Sequence, residues 1–220
     1  MTTLDPKFRW GALPGLLAAL MLAGCAGTVV IESEFPEPVV KAMPFSAGIY
    51  YSPEFKEYIY KEEEGKLEFE LGTKQLAVYD KIFGALFEQT INVPSADGDN
   101  SAFGVDLVLE PVLEEYAFLS PQETATNFYA VSMKYQIRLY SDQGTIVGYW
   151  PFVAYGKDRK KFVNGNQSLG EATTLALRDA AAAMVSQFKG VVEKEQWRDP
   201  ISAPAAPPAP SASTPEVTSP

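Results

Sequence analysis

The chain has 220 residues, 46% of them hydrophobic and 21% charged, a size and balance that fit one folded domain with tails. It contains no histidine and a single cysteine, which excludes Ser-His-Asp and Cys-His catalysis, histidine-ligated metal centres and any intramolecular disulfide. The formal charge of −10 at pH 7 argues against nucleic acid as a partner, since such a surface repels phosphates.

The first element in chain order is a targeting segment over residues 1–24. Lys7 and Arg9 make a short basic start, and Trp10 to Ala23 is apolar apart from Pro14 and Gly15. A run of about 14 residues is too short to cross a hydrocarbon core of roughly 30 Å and fits the apolar stretch of an export signal. It ends in Leu22-Ala23-Gly24-Cys25, where the chain's only cysteine stands. This sequence resembles the lipobox of bacterial lipoproteins. The resemblance implies cleavage between Gly24 and Cys25, then acylation of Cys25 on its sulfur and its new amine. Several acyl chains anchor a protein stably where one would not. Ala26 follows the cysteine, in place of the Asp that resembles an inner-membrane retention signal, so the resemblance favours the outer membrane with the domain facing the periplasm. Once Lys7, Arg9 and Asp5 are subtracted, 16 basic and 27 acidic side chains remain, a net −11. Anionic headgroups repel such a body, so the acyl chains are its expected contact with the membrane.

Residues 25–43 read as a lipidated N-terminus and tether. Thr28 to Ile31 suits a short strand, and Glu32, Glu34, Pro36, Glu37 and Pro38 suit a stiff acidic spacer that lifts the domain from the bilayer. The domain itself is read over 44–198. Ser46 to Tyr51 is a first strand, residues 54–60 are a helical turn or a second extended piece, and 62–65 make a turn. Lys66 to Leu71 then alternates, with Leu67, Phe69 and Leu71 on one face. Leu76, Tyr79, Phe83 and Leu86 recur at helical spacing, which predicts an amphipathic helix over 73–89. Ile91 begins another strand, 95–104 is a polar loop, and Val105 to Pro111 is apolar enough for a strand covered on both sides.

The strongest pattern lies over 129–139. Tyr129, Val131, Met133, Tyr135, Ile137 and Leu139 share one face, with Ser132, Lys134, Gln136 and Arg138 opposite. A turn at Ser141 to Gly144 returns the chain along 145–155, where Pro151 marks an edge or a bulge. The last helix is expected to start with Ser168 and Glu171 as a capping box and to end near Trp197. It presents Ala172, Ala176, Ala180, Met184, Phe188 and Val191 to the sheet. Residues 199–220, with seven prolines from Pro200 to Pro220, cannot bury a core and read as a disordered tail. The predicted fold is a two-layer α+β domain, mainly antiparallel, with two helices on one face.

Few residues offer chemistry. Glu114 and Glu115 are adjacent carboxylates, but neighbours on a regular strand point to opposite faces. A hydrolase built on them or on Glu110 is therefore a weak reading. Asp97 to Asn100 resembles the start of a calcium loop, yet Ala102 stands where its turn glycine belongs. No metal or other cofactor is expected. The basic run Lys157, Arg159, Lys160 and Lys161 breaks the acidic trend and follows Trp150 and Tyr155, so these six residues form a candidate recognition patch. The order of elements, ending in an Ala-rich run over 172–185, resembles YajG-like and LptE-like periplasmic lipoproteins. That resemblance implies a non-enzymatic envelope protein and carries no site residues. The reading that follows is a non-catalytic outer-membrane lipoprotein, an adaptor or assembly factor for another envelope protein. The alternatives are a lipid or small-ligand binding module, and less favoured, a carboxylate-based cell-wall hydrolase.

Overall fold

Met43–Ile49 forms β1, in which Ala47 and Ile49 are buried. Ser52 then accepts a 3.2 Å hydrogen bond from the Phe55 amide, and Pro53 occupies the first turn, so a short helix α1 forms at Pro53–Lys56. Both expectations for 54–60 are met, because β2 follows at Ile59–Lys61 and pairs antiparallel with β3, Glu68–Glu70. The computed structural model describes residues 29–32, 36–62, 67–159, 165–188 and 190. The expected export segment 1–24, Cys25, Glu34, residues 63–66, Lys160, Lys161, the expected helix end with Val191 and Trp197, and the expected tail 199–220 lie outside them.

Helix α2 spans Gly72–Leu86 and buries Tyr79, Phe83 and Leu86 of the expected stripe, with Val78 and Ile82 beside them, while Leu76 is only partly buried. It stops earlier than expected, because Phe87 is already the first residue of β4, Phe87–Asn92. β5 runs over Leu107–Leu119, β6 over Phe128–Tyr140 and β7 over Ile146–Arg159; a short helix α3, Pro121–Thr124, lies between β5 and β6. The five long strands form one sheet in the order β4-β1-β5-β6-β7. β1 is parallel to both β4 and β5, whereas β5-β6 and β6-β7 are antiparallel. The sheet is thus mixed within the expected α+β fold. The long hairpin closes through Gly144, whose φ of 80° suits glycine.

Helix α4, Gly165–Ala183, lies across β6 and β7 and runs into a wider turn at Met184–Phe188. Ala172, Ala176, Ala180, Met184 and Phe188 are all fully buried, as their spacing requires. The expected capping box at Ser168 is not there. α4 starts three residues earlier, so Ser168 is inside it, buried, with its hydroxyl donating to the Arg159 carbonyl at 3.1 Å. Ser120 and Glu123 form a capping box instead, with the Ser120 amide 2.6 Å from the Glu123 carboxylate.

Both α2 and α4 pack on one face of the sheet around a circuit of rings. Tyr79, Tyr135, Phe152, Trp150, Phe188, Phe87 and Phe83 touch in that order, with ring centroids 4.5–6.4 Å apart, and Phe83 closes the circuit on Tyr79. Tyr135 donates to Gln75 Oε1 at 3.1 Å, and Gln75 donates to the Phe55 carbonyl at 2.7 Å. Tyr79 is as deeply buried, yet its hydroxyl has no hydrogen-bond partner among the described residues. A buried polar group left unpaired costs about 1–3 kcal/mol. Tyr79→Phe is accordingly expected to stabilise the domain by about 1 kcal/mol, read as a higher urea midpoint. A lower midpoint would mean that the hydroxyl has a partner after all.

The N-terminal segment differs from its sequence reading. Val29–Ile31 is not a strand, and Glu32, the first residue of the expected spacer, is held against the domain; Thr28 and Glu34 lie outside the described residues. Val29 and Ile31 are buried in the main core, and the Glu32 amide donates to Thr174 Oγ1 on α4 at 3.0 Å. The Val30 carbonyl sits where a side chain on Gly170 would otherwise be. Among the described residues no helix is long and apolar enough to cross a membrane.

Candidate functional site on the open sheet face

Strand alternation gives β5, β6 and β7 two unlike faces. One lies under the helices. Among the described residues, the other is covered only where Val93, Ala96 and Val105 pack on Val108 and Tyr140. The rest is open, and it carries Val153 at 41% exposure, Leu119 at 50% and Tyr155 at 64%. These apolar groups alternate with a charged lattice. Tyr140 donates to Glu110 at 2.7 Å, Arg138 pairs with the same oxygen at 3.3 Å, and Arg138 Nε donates to Gln136 at 3.3 Å. Burial beside the Glu110 carboxylate raises the Tyr140 pKa.

Glu114 and Glu115 correct the sequence argument. The β5-β6 register slips between Leu113 and Glu115, and both Leu113 and Tyr116 pack toward the helices. The two residues between them therefore share the open face, as at a bulge. Glu114 reaches Lys134 at 3.0 Å, and Lys134 is also the register partner of Glu115. Glu110, bonded to Arg138 and Tyr140, is a buried structural acceptor. The Asp97 to Asn100 loop folds on itself. Asn100 Nδ2 donates to the carbonyls of Ser95 (3.1 Å) and Gly98 (2.9 Å), and Ser95 donates to Asp97 at 2.6 Å. The Ser101 hydroxyl and amide lower the Asp99 pKa. Among the described residues no group of three acidic, histidine or cysteine side chains is placed to hold a metal ion.

The candidate patch divides in two. Trp150 points to the helix side, stacked on Phe152 at 4.5 Å and 5.1 Å from Phe188, so it is a core residue. Tyr155, Lys157 and Arg159 alternate onto the open face. They do not belong to a loop, because β7 continues through Arg159. Lys157 Nζ lies 4.1 Å from the centre of the Phe128 ring and the Arg159 guanidinium lies 5.8 Å from it, so both cations rest over one aromatic ring. Phe128, which sequence reasoning missed, is what makes these charges a shaped site; its register with Arg159 across the hairpin was the available signal.

β7 is also an edge strand, and two of its outward amide positions are closed. Pro151 has no amide hydrogen, and the Tyr155 amide, at the same outward phase, donates to Asp179 of α4 at 2.9 Å. The open face of β5–β7 carries Tyr155 and its cations at one end and Lys134 with two carboxylates in the middle.

No family model matches the sequence, and no curated protein matches it. Among solved structures the chain is similar to protein XCC0632 from Xanthomonas campestris, of family DUF330, at 8% identity and TM-score 0.42, over 76% of this chain and 96% of that one. It is also similar to a minor lipoprotein from Acinetobacter baumannii, at 12% identity and TM-score 0.43, over 69% and 96%. A third similarity is to lipoprotein GNA1162 from Neisseria meningitidis, at 13% identity and TM-score 0.32, over 67% and 99%. At these identities no residue role carries across.

Proposed function

We propose that this chain is an outer-membrane lipoprotein, anchored through acyl chains on Cys25 and facing the periplasm. In this reading it is a non-catalytic adaptor or assembly factor for another envelope protein. The observation that carries the anchoring is the sequence Leu22-Ala23-Gly24-Cys25, which places the only cysteine directly after a basic start and a short apolar run. Supporting the adaptor role is the open face of β5–β7. Exposed Tyr155, Leu119 and Val153 beside paired charges have the mixed character of a non-obligate protein interface. The absence of histidine from the chain and the ties that hold Glu110 and Glu114 favour binding over hydrolysis.

Anchoring is tested by growth with an alkyne-bearing palmitate. The wild-type chain is expected to take up the label and sediment with outer membranes, and Cys25→Ser to do neither. Label retained by Cys25→Ser would sink the lipoprotein reading. The adaptor role is tested by a photoreactive residue at Tyr155 or Arg159 in living cells. One envelope protein captured repeatedly is the expected result, whereas adducts to lipid or glycan alone would replace the adaptor with a ligand-binding module.

A further inference from the structure

The lipid anchor and the docked N-terminal segment together orient the domain. Only residues 26–28 separate Cys25 from Val29, and Val29 and Ile31 are buried against the domain. Four peptide steps span at most about 14 Å. A cysteine whose acyl chains lie in the bilayer therefore brings Val29–Glu32, and the α4 surface beneath it, to the headgroup region. We infer that the outer face of α4 around Val30, Leu175 and Arg178 is the membrane-facing surface of the domain. This rests on the lipidation of Cys25 proposed above.

The composition of that face suits a lipid surface. Val30 is 67% exposed and Leu175 39%, and they line one shallow groove of about 330 Å³ together with Arg178. Two exposed apolar side chains can meet the acyl layer, while Arg178, whose guanidinium lies 3.9 Å from the Glu32 carboxylate, lies with that carboxylate at headgroup level, its apolar stem beside them. Glu32 and Glu171 line the same groove, which favours a zwitterionic leaflet over an anionic one. The sheet lies behind α4, so its open face with Tyr155 is turned away from the bilayer. This reverses the spacer expected from the sequence. Were the segment undocked as far as Met43, the chain from Cys25 would reach about 60 Å; docked at Val29, it holds the domain at the surface.

Gly170 is the means of testing this. A Cβ there would meet the backbone of Val30, while alanine is otherwise favoured within a helix, so Gly170→Ala displaces the segment and leaves α4 intact. The full-length chain is isolated in lipidated form, with Leu175→Cys or Tyr155→Cys supplying the only free thiol for a fluorophore. It is then reconstituted in phosphatidylethanolamine–phosphatidylcholine vesicles carrying a headgroup quencher. The two sites are about 20 Å apart in depth, a helix diameter plus a sheet layer. Several-fold stronger quenching at 175 than at 155, lost in Gly170→Ala while the lipidated mass is unchanged, is the expected result. Equal quenching at both sites in a lipidated chain overturns the orientation and leaves the anchoring standing. Quenching at 175 that persists in Gly170→Ala also overturns it, since the segment would not be what holds that face down. A chain whose mass shows no acylation removes both proposals together.

Discussion

Gly156→Ala is expected to destabilise the domain by about 3 kcal/mol or more, the upper range for overpacking a close-packed site. The reason is an approach between backbones. Gly156 lies in β7 under α4, and a Cβ there would overlap the carbonyl oxygen of Ala172 and the amide of Ala176. Neither atom can rotate away as a side chain would. The helix itself would have to lift, and Ala172, Ala176 and Ala180, all fully buried, would lose their contact with the sheet. Against this, alanine gains only about 0.5–1 kcal/mol over glycine in a strand, so the clash decides the sign. Gly84→Ala in α2 is the matched control, because nothing lies within 4 Å of its Cβ. It is expected to stabilise by up to about 1 kcal/mol through helix propensity alone. Urea midpoints moving in opposite directions in the two variants would bear this out. A Gly156→Ala midpoint at or above wild type would mean that α4 does not sit so close to β7.

That contact explains the alanines of the last helix, and half of it was legible beforehand. The run from Ala172 to Ala180 announced a helix meant to approach a neighbour closely, but nothing in the sequence paired it with Gly156, since the match depends on how far β7 extends. The β6-β7 hairpin was legible for a local reason: six apolar positions alternate over 129–139 and a glycine turn follows. The parallel placement of β1 between β4 and β5 was not, because such pairing joins segments some 40 to 60 residues apart and leaves no periodic trace. The end of α2 was obscured because Leu86 and Phe87 are both buried, one on a helix and the next on a strand, so the apolar run serves two periods at once. The bulge at Glu114 was invisible for the same kind of reason. Alternation is assumed when faces are assigned, and one extra residue moves a carboxylate from one face to the other.

The candidate patch shows the same division. The basic run and Tyr155 were visible in the sequence as a break in an acidic chain. That Trp150 would turn inward, and that Lys157 and Arg159 would share the ring of Phe128, depended on the register of β6 with β7. The docking of Val29–Glu32 on α4 was hidden by composition. Acidic residues and prolines on its C-terminal side suggested a spacer, while two apolar side chains at alternate positions decide that it packs.

Raising the pH above about 10 is expected to unfold the domain steeply, because its core is built from tyrosines that ionise only when exposed. Tyr51, Tyr79, Tyr116 and Tyr135 are each at most 7% exposed. Burial is the main reason that all four phenols have raised pKa values. For Tyr51 the bond to Asp80, at 2.7 Å, raises it further, since the phenolate would face a carboxylate. For Tyr116 the bond to Thr173, also 2.7 Å, opposes part of the rise. The unfolded chain loses these protons near pH 10 and the folded one does not, so the contribution is whole below that pH and falls as the pH rises toward the folded values. Each phenol subtracts about 1.4 kcal/mol per pH unit, and four together about 5 kcal/mol. A typical stability of about 5–15 kcal/mol is then exhausted within one to three units. Phenolate absorbance and circular dichroism followed through an alkaline titration should therefore change together for these four groups. Tyr79→Phe should flatten the fall in stability by about 1.4 kcal/mol per pH unit, one group's share. Ionisation of the buried set with the circular dichroism unchanged would show water reaching the ring circuit, and the core described above would have to be looser than its packing indicates.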